Sequence, residues 1–472
     1  MNEKYKYLFK NVGLLTLSSF ATRFLSFFLV PLYTNILSTT DYGTYDLFTT
    51  TIGVLIPLLT FNIQDAVIRF ALDNNYSKDA VVTIGMRLVI CANCVLAVGL
   101  CLNFVFNVSL IVKEYTIFLL LMFLAQTLSG VVTCYIRGIN RVTDLSISSV
   151  IASLATIILN IVFLVNLRMG LVGYFLANCL GPLVQSIYLI VRGNILWRIN
   201  IREKYRDEQK EMLSYSKPLV ANSLAWWINS AFDRYVVVFF CGLAENGLYA
   251  VAGKIPAILN VFQGIFNQAW ELSAVKDYDP EDKSGFFSST YRAYNCAMTL
   301  ICSAIIVSDR FLARFLYAKD FYSAWEYVPW LTIAILFGAL SGYMGGFFTA
   351  VKDSRIFATS TLVGAVSNIA MNLILTPFMG PMGAAIATTI CYAEVFVVRY
   401  VQSKKYISLK LNVLRDSISY TILVLQSIVL ITLPENFLMY GINMFLFGLV
   451  FLLYFKDIQL ILCKVIHRRG RR

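Results

Sequence analysis

Apolar runs of about 20 residues recur along the chain from Phe9 to Phe455, and short polar breaks separate them. A helix rises about 1.5 Å per residue, so each run is long enough to cross about 30 Å of hydrocarbon. Together with the glycine, proline and charged breaks, the runs predict about fourteen helices, starting near residues 9, 44, 80, 115, 146, 171, 214, 247, 288, 326, 358, 383, 417 and 436. The pattern therefore predicts an all-α polytopic membrane protein.

Composition supports this class. Of the 472 residues, 58% are hydrophobic and only 14% are charged, with a mean hydropathy of +0.70, whereas a soluble domain is about 25% charged. The net charge of +12 does not predict a nucleic-acid partner, because the basic residues can be assigned to loops beside the lipid bilayer. The first run is not expected to be a cleavable signal, since Arg23 lies within it and a small-x-small cleavage pattern is missing.

Cysteine and histidine usage argues against most metal and nucleophilic chemistry. The ten cysteines lie almost all within apolar runs and are interpreted as small buried packing residues. Cys91 and Cys94 have the spacing of a redox motif, but no βαβ pattern surrounds them. The single histidine, His467, lies in the tail. The chain also lacks a phosphate-binding Gly-x-x-x-x-Gly-Lys loop. We therefore expect no cofactor, no metal site and no enzymatic activity.

Basic residues are distributed unequally between the two sides that the predicted helices define. If the N-terminus lies inside, the inner segments carry twenty-five lysine and arginine residues, and the outer segments carry only five: Lys113, Arg168, Arg310, Arg314 and Lys319. Inner loops of membrane proteins are enriched in these residues. Both termini are therefore predicted to be cytoplasmic.

Two short motifs recur at similar spacings. The segment Asp41–Tyr45 (DYGTY) resembles Glu245–Tyr249 (ENGLY), 204 residues later, and the pattern Met-Gly-x-x-Gly-x-x-x-Ala from Met169 recurs from Met379, 210 residues later. Two motifs that recur in the same order and at nearly equal offsets predict a duplicated six-helix unit. Because six is even, the two copies should have the same orientation in the membrane.

This duplication predicts three parts. We expect an N-terminal six-helix bundle over residues 1–200, a C-terminal six-helix bundle over residues 201–405, and two extra helices with a basic cytoplasmic tail over residues 406–472. Rocking of two such bundles would give alternating access to a central space.

Several motifs carry a family resemblance. They are Asp233-Arg234-Tyr235, then Gly247-x-Tyr249-x-x-Ala252-x-Lys254, the stretch from Asn372 to Ala387, and the opening from Pro31 to Gly43, which leads to Ala66-x-x-Arg69-Phe70. With these motifs the chain resembles, over nearly its whole length, the polysaccharide transporter family of Wzx-type flippases in the MATE/MOP exporter superfamily.

The resemblance implies a MATE-like fold and a bacterial inner-membrane protein. Such a protein moves an undecaprenyl-diphosphate-linked oligosaccharide unit across the membrane for O-antigen, capsule or exopolysaccharide synthesis. A polysaccharide polymerase and chain-length proteins are the implied protein partners. The glycan and the coupling ion stay open.

Cations inside the predicted helices are the candidate substrate ligands. An ionisable residue at membrane depth costs at least about 2.5 kcal/mol, so it faces a partner or a wet cavity. Guanidinium donors match phosphate oxygens. Because the resemblance implies a diphosphate, we expect it to be bound by Arg23, Arg87, Arg234 and Lys254. Two alternatives stay open: Arg23 pairs with a carboxylate such as Asp233, and Arg87 extends to the cytoplasmic interface.

A second set of residues is expected to act in gating or ion coupling: Asp65, Arg69, Asp233, Glu271 and Glu394. Asp65 and Arg69 are four apart on one helix face, which predicts either a local ion pair or a role for Asp65 as a gate or proton acceptor. Asp233 and Arg234 point about 100° apart on a helix, so one faces the cavity while the other pairs within its bundle.

Prolines and one tryptophan add further expectations. Pro31 and Pro57 should bend the first two helices, and Pro256 should bend the chain just after Lys254. Trp270 belongs either to an interfacial aromatic belt or to a surface that stacks on a sugar.

Two other functions compete with a flippase. A MATE-type ion-coupled exporter of amphipathic small molecules would share the fold, but a cationic substrate would prefer carboxylates, whereas the deep charges here are mainly Arg and Lys. A polymerase or glycosyltransferase would need a sizeable outer loop with acidic residues, and the longest outer segment, about residues 309–325, is short.

Overall fold

The computed structural model describes residues 27–200, 202–351 and 353–469, except for the side chains of residues 268, 269, 271, 272, 354 and 460–469. The regular structure in these ranges is helical. The chain divides into two compact units, one ending at Trp227 and the other beginning at Ile228. The predicted division at residues 200 and 405 stays a prediction.

The first unit contains a series of helices and the start of a long one. They are α1 (Val30–Ile36), α2 (Thr39–Thr60), α3 (Ile63–Leu72), α4 (Lys78–Phe106), α5 (Leu110–Glu114), α6 (Thr116–Gly138), α7 (Val142–Asn160, continued by a π-helical turn over Ile161–Asn166), α8 (Gly170–Arg192), α9 (Ile195–Arg198) and α10 (Arg206–Cys241), within which the division between units falls.

The second unit contains the rest of α10 and eight further α-helices among the described residues. They are α11 (Leu243–Ala252), α12 (Ala257–Lys276), α13 (Phe286–Leu316), α14 (Val328–Ala350, preceded by a 3-10 segment over Lys319–Tyr327), α15 (Ser354–Met379), α16 (Pro381–Ser403), α17 (Val413–Thr432) and α18 (Phe437–Arg469).

Ten helices of the described residues are long and apolar enough to cross a membrane, and the number rises to twelve if each of two bent pairs counts as one span. This agrees with the predicted all-α polytopic class. Most observed helices start within about five residues of the predicted positions. The helix predicted from residue 9 lies mostly outside the described residues, and α10 begins at Arg206 rather than near residue 214.

The second helix of the chain bends at a different place from the one predicted. Pro57 lies inside α2, and the 59° bend comes after Thr60, where α2 gives way to α3. Phe61 and Asn62 both adopt positive φ angles there, 52° and 53°. Two residues in the left-handed region cannot continue a right-handed helix, so the break sits at these residues.

The predicted bend beside Pro256 is present. Leu243–Ala252 and Ala257–Asn267 are inclined by 50°, and Lys254 lies in the four-residue break between α11 and α12. The helices α2 and α11 begin at Thr39 and Leu243, with the same 204-residue spacing as the repeated motif. This correspondence supports the predicted duplication.

Aromatic packing explains why the repeated motif contains tyrosine. Tyr45 packs edge-on against Tyr174 of α8 with ring centroids 4.4 Å apart, and Tyr42 stacks on Tyr33 at 4.9 Å. In the second unit Tyr249, at the equivalent motif position, is buried and donates a hydrogen bond to Asp233. The motif therefore anchors the start of a helix in each unit.

Trp270 has neither of the predicted roles. Its indole is buried, stacks on Tyr343 with centroids 3.9 Å apart and donates a hydrogen bond to the Tyr343 carbonyl at 3.0 Å. A Cβ at Gly346 would lie 2.5 Å from its Nε1 atom. Trp270 is therefore a core residue of the second unit.

The cysteine prediction is only partly confirmed. Cys179, Cys296, Cys302 and Cys391 are buried, as expected for packing residues. Cys91, Cys94 and Cys101 are instead exposed along α4. Since α4 is one of the candidate spans, these thiols lie on a surface that the bilayer can cover.

Candidate functional site

Of the first two predicted substrate ligands, Arg23 and Arg87, the structure describes only Arg87. Arg23 lies outside the described residues. Arg87 lies on α4 and points toward the loop before α10, where its guanidinium donates to the carbonyls of Asn200 at 3.2 Å, Lys204 at 3.4 Å and Glu203. Arg87 thus contacts loop backbone in the first unit.

The other two predicted ligands, Arg234 and Lys254, belong to the second unit. The Arg234 side chain donates to the Ser230 carbonyl, one turn earlier on α10, at 3.2 Å. Lys254 is half-buried at the bend between α11 and α12. Their roles in substrate binding stay predictions.

Asp233 is held inside the second unit. It is buried and accepts hydrogen bonds from the hydroxyl of Tyr249 at 2.6 Å and from that of Thr388 at 3.4 Å. These bonds tie α10 to α11 and α16. The role of Asp233 in gating or ion coupling stays a prediction.

The expected ion pair between Asp65 and Arg69 is not formed. Arg69 instead pairs with Asp73, which lies four residues later in the sequence, with 3.7 Å between Nη1 and Oδ2. Asp65 is exposed on α3. The four-residue spacing allowed Arg69 to pair with either Asp65 or Asp73. The observed partner, Asp73, follows the last residue of α3. The alternative role of Asp65 stays a prediction.

Glu394 and Glu271 are the two remaining candidates for gating or ion coupling. Glu394 is half-buried on α16. Glu271 lies on α12, but its side chain is outside the described part of the structure. The structure therefore does not place these two carboxylates together.

Sequence reasoning missed Arg399, which is 2% exposed on α16. Its guanidinium donates to the Ser360 hydroxyl at 3.0 Å, the Thr361 hydroxyl at 3.1 Å and the Ser341 carbonyl at 3.1 Å. It also lies 4.3 Å from the centroid of the Phe357 ring. Arginine within an apolar run is the signal that could have identified it.

A basic cleft forms in the first unit beside α10. Its volume is about 800 Å³, and its lining combines six cations with three uncharged residues: Arg87, Arg202, Lys204, Arg206, Lys210, Lys217, Gln209, Leu213 and Ser214. Among the described residues, no Asp or Glu belongs to this lining. Of the three predicted ligands that the structure describes, only Arg87 lines this cleft.

The α10 side of the cleft follows from helical periodicity. Arg206, Lys210, Leu213 and Lys217 recur at three- and four-residue intervals, so they share one helix face. On the opposite face Met212 is fully buried in a core cluster that also contains Ile195 and Val82. Burial of this apolar face directs the basic face outward.

Several polar contacts fix the loop between α9 and α10. Besides the bonds from Arg87, the backbone N–H of Asn200 donates to the buried Thr83 hydroxyl at 3.1 Å, and Arg198 pairs with Asp79 at 3.1 Å. These bonds hold the loop against α4. Arg202 and Lys204 are thereby placed opposite the basic face of α10.

Acidic residues near the cleft bond to tyrosines. Tyr76 donates to Glu211 at 2.6 Å, and Tyr205 donates to Glu203 at 2.8 Å. The hydrogen bond to each carboxylate raises the pKa of the tyrosine, because only the neutral phenol carries the O–H that donates. The two carboxylates therefore have their own partners outside the cleft lining.

These helices define a multi-pass membrane protein. A structure described as lipid II flippase MurJ, in an inward closed conformation, is similar with a TM-score of 0.68 and 16% identity, over 97% of this chain and 99% of that chain. An inward-facing multidrug resistance MATE family transporter of the MOP superfamily is similar with a TM-score of 0.65 and 15% identity, over 84% and 96%. The predicted MATE-like fold class is confirmed.

The family is shown by sequence. The model of the polysaccharide biosynthesis protein family matches residues 8–270, more than half of the chain, and the chain belongs to this family. The predicted resemblance to polysaccharide transporters is thus confirmed, and the expectation of a transporter rather than an enzyme agrees with the family and the fold.

A curated relative is the probable low-salt glycan biosynthesis flippase Agl15 of Haloferax volcanii. It is 22% identical over 206 residues. The match spans 43% of this chain and 43% of the relative's length, so it covers less than half of either protein.

Proposed function

We propose that the protein is a flippase that moves a glycan linked to a polyprenyl diphosphate from one leaflet of the membrane to the other. The carrier we favour is undecaprenyl diphosphate, and the glycan is a repeat unit of O-antigen, capsule or exopolysaccharide. The observation that carries the proposal is the family match across residues 8–270. The curated relative named as a glycan biosynthesis flippase supports the same function.

The chemistry of the substrate is consistent with the candidate cations. A flippase must move a charged, hydroxyl-rich headgroup while the polyprenyl tail stays in lipid. Arginine and lysine can offer donors to phosphate oxygens without any covalent step. We propose that Arg23, Arg87, Arg234 and Lys254 contact the diphosphate during transport, and that Asp65, Arg69, Asp233, Glu271 and Glu394 act in gating or ion coupling by alternating access.

We further propose that the protein resides in a bacterial cytoplasmic membrane with both termini in the cytoplasm. The excess of basic residues in the predicted inner segments supports this orientation. A polysaccharide polymerase and chain-length proteins are its proposed partners. Labelling of single cysteines with a membrane-impermeant reagent tests the orientation: a cysteine at Lys405 should react only from the cytoplasmic side, and one at Lys319 only from the outer side.

Reconstitution tests the transport function. Protein in liposomes is supplied with undecaprenyl diphosphate bearing a fluorescent disaccharide, and a quencher in the external solution reports the fraction in the outer leaflet. We expect transfer between leaflets with the wild type and a reduction of about tenfold or more in the variants Arg87→Gln, Arg234→Gln and Lys254→Gln, since each removes one charge-assisted contact. The double variant Lys404→Gln/Lys405→Gln removes two exposed lysines elsewhere and serves as the control.

The same assay separates the alternatives. Normal transfer by all three single variants would reject the proposed ligands and leave the function standing. A wild type that leaves the lipid-linked sugar in place but exports a cationic dye under an ion gradient would reject the flippase in favour of a MATE-type exporter.

A further inference from the structure

The short helix α9 presents apolar side chains to the outside. Leu196 is 68% exposed and Trp197 is 91% exposed, although Ile195 beside them is fully buried. The helix is fixed in place, because Ile195 packs in the core cluster and Arg198 pairs with Asp79 at 3.1 Å. Two large apolar groups are therefore held outward on a rigid support.

This placement is typical of the boundary between membrane and water. Only two residues separate α9 from the end of the candidate span Gly170–Arg192. Tryptophan is enriched at that boundary, where its ring lies among lipid headgroups. Exposure of 91% would be costly in water, but not in the interfacial region. We therefore expect Trp197 and Leu196 to lie at the level of the lipid phosphates.

The basic cleft begins four residues after α9. Its six cations lie together without a carboxylate among the lining residues. Within the described residues, the structure gives no ion pair to Arg202, Lys204, Arg206 or Lys210. Like charges that line the same cleft repel one another, and the repulsion is relieved when an anion binds between them.

The N-terminal end of α10 strengthens this tendency. Arg206 is the first residue of α10 and Lys210 follows one turn later. The amino end of a helix carries a partial positive charge, so cations there are unfavourable and anions favourable. Two independent features, the cation cluster and the helix end, thus favour the same kind of ligand.

We propose that the basic cleft binds the phosphate group of a membrane lipid, with Trp197 and Leu196 inserted in the adjoining interface. Arg202, Arg206 and Lys210 donate to the phosphate oxygens, and Arg87 holds the loop carbonyls that position Arg202 and Lys204. The lipid is either an anionic phospholipid or the polyprenyl diphosphate carrier. Only the second source rests on the proposed flippase function.

Direct binding tests this proposal. Full-length protein in detergent is titrated with phosphatidylglycerol and, separately, with undecaprenyl diphosphate, and native mass spectrometry counts the bound lipid. The variant Arg206→Gln/Lys210→Gln should bind at least one of the two lipids about tenfold more weakly, because two charge-assisted contacts are removed. The matched control Lys404→Gln/Lys405→Gln removes two exposed lysines outside the cleft and should bind both lipids like the wild type.

The outcomes identify the lipid. Weaker binding of undecaprenyl diphosphate alone assigns the cleft to the transport substrate, and weaker binding of phosphatidylglycerol alone assigns it to the surrounding bilayer. Equal binding of both lipids by wild type and cleft variant overturns the proposal. Because the measurement needs no transport, a protein that binds lipid phosphate but moves no glycan would refute the flippase function and leave the cleft assignment intact.

A second variant tests the membrane contact separately. Trp197→Ser keeps all six cations but removes the interfacial ring. It should weaken lipid binding from bilayer nanodiscs, where the ring can insert, by about threefold, and should leave binding in detergent less affected. An unchanged affinity in nanodiscs would refute the role of α9.

Discussion

The basic cleft beside α10 and the polar interface between α13, α17 and α18 both contain several cations, but these cations have different partners. In the cleft, Arg202, Arg206 and Lys210 belong to a lining in which the described residues include no carboxylate. At the interface, Arg415 pairs with Asp416 at 3.0 Å and also with Asp457, which joins α17 to α18. The first arrangement leaves charge available at a surface, and the second uses charge to join helices.

The interface is extended by neutral groups. Tyr454 donates to Asp416 at 3.1 Å and accepts from the Asn295 amide at 3.1 Å, and its ring lies 4.5 Å from the Arg415 guanidinium. Farther along, Ser303 donates to Gln426 at 2.7 Å. These bonds tie the two C-terminal helices to α13. Arg415, with carboxylate partners on two helices, is structural, whereas a cation that has no ion pair among the described residues is available to a ligand.

The largest effect is expected from breaking the paired cluster. Arg415→Leu would leave Asp416 and Asp457 buried without their cation, and the free energy of unfolding should fall by about 3–5 kcal/mol. Thermal unfolding of the purified protein in detergent measures this. The triple variant Arg415→Leu/Asp416→Asn/Asp457→Asn removes all the charges and should recover most of the loss. A single variant as stable as the wild type would show that the cluster does not hold the helices.

A smaller loss is expected at Arg399, a buried cation that bonds to uncharged groups. Arg399→Ala removes three hydrogen bonds and the contact with Phe357, leaves a cavity, and should lower the free energy of unfolding by about 2–3 kcal/mol. Arg399→Met fills the volume without the bonds and should lose less. If both variants unfold at the wild-type temperature, the bonds to Ser360 and Thr361 contribute nothing to stability.

Two arginines that share the partner Glu435 should contribute smaller and unequal amounts to stability. Arg310 and Arg314 both pair with it, at 3.4 Å and 2.8 Å, but their side chains are 10% and 62% exposed. Arg310 also donates to the Leu430 carbonyl at 2.9 Å and lies over the Trp325 ring. Arg310→Gln should lower the free energy of unfolding by about 1–2 kcal/mol, while Arg314→Gln should leave the unfolding temperature unchanged. Equal losses would show that burial does not set the strength of these pairs.

The smallest effect should have the opposite sign. Arg206→Gln/Lys210→Gln removes cations from the amino end of α10 and should raise the free energy of unfolding, by up to about 0.5 kcal/mol. Lys404 and Lys405 follow the last turn of α16, where cations are favourable, so Lys404→Gln/Lys405→Gln should lower it slightly. Both changes should fade in high salt. A stability loss in the cleft variant would mean that its cations already have stabilising partners.

Most of the helices could be predicted from the sequence, because a membrane span needs a long apolar run and such runs have clear ends. The start of α10 was predicted eight residues late. The first turns of α10, from Arg206 to Leu213, are mostly charged or polar, as is typical of a loop. Met212 is the one buried residue there, and a single apolar residue does not show helical periodicity. The pattern of apolar residues therefore did not predict the first two turns of α10, which line the basic cleft.

The candidate site was less predictable, since partners are set by packing between distant segments. Sequence spacing placed Arg69 four residues from both Asp65 and Asp73 and could not select Asp73. Arg399 bonds to groups on α14 and α15, about forty to sixty residues away in sequence. Arg87 could be recognised as a candidate because it interrupts an apolar run, but its carbonyl partners beyond residue 199 could not.

The three carbonyls that Arg87 holds have a practical consequence for engineering. The connection between α9 and α10 is basic and largely exposed, which would make it an obvious place to insert an epitope tag or a protease cleavage sequence. Any insertion between Asn200 and Lys204 would pull those carbonyls off the guanidinium. A tag placed there would therefore change the structure of the segment that it is meant to label.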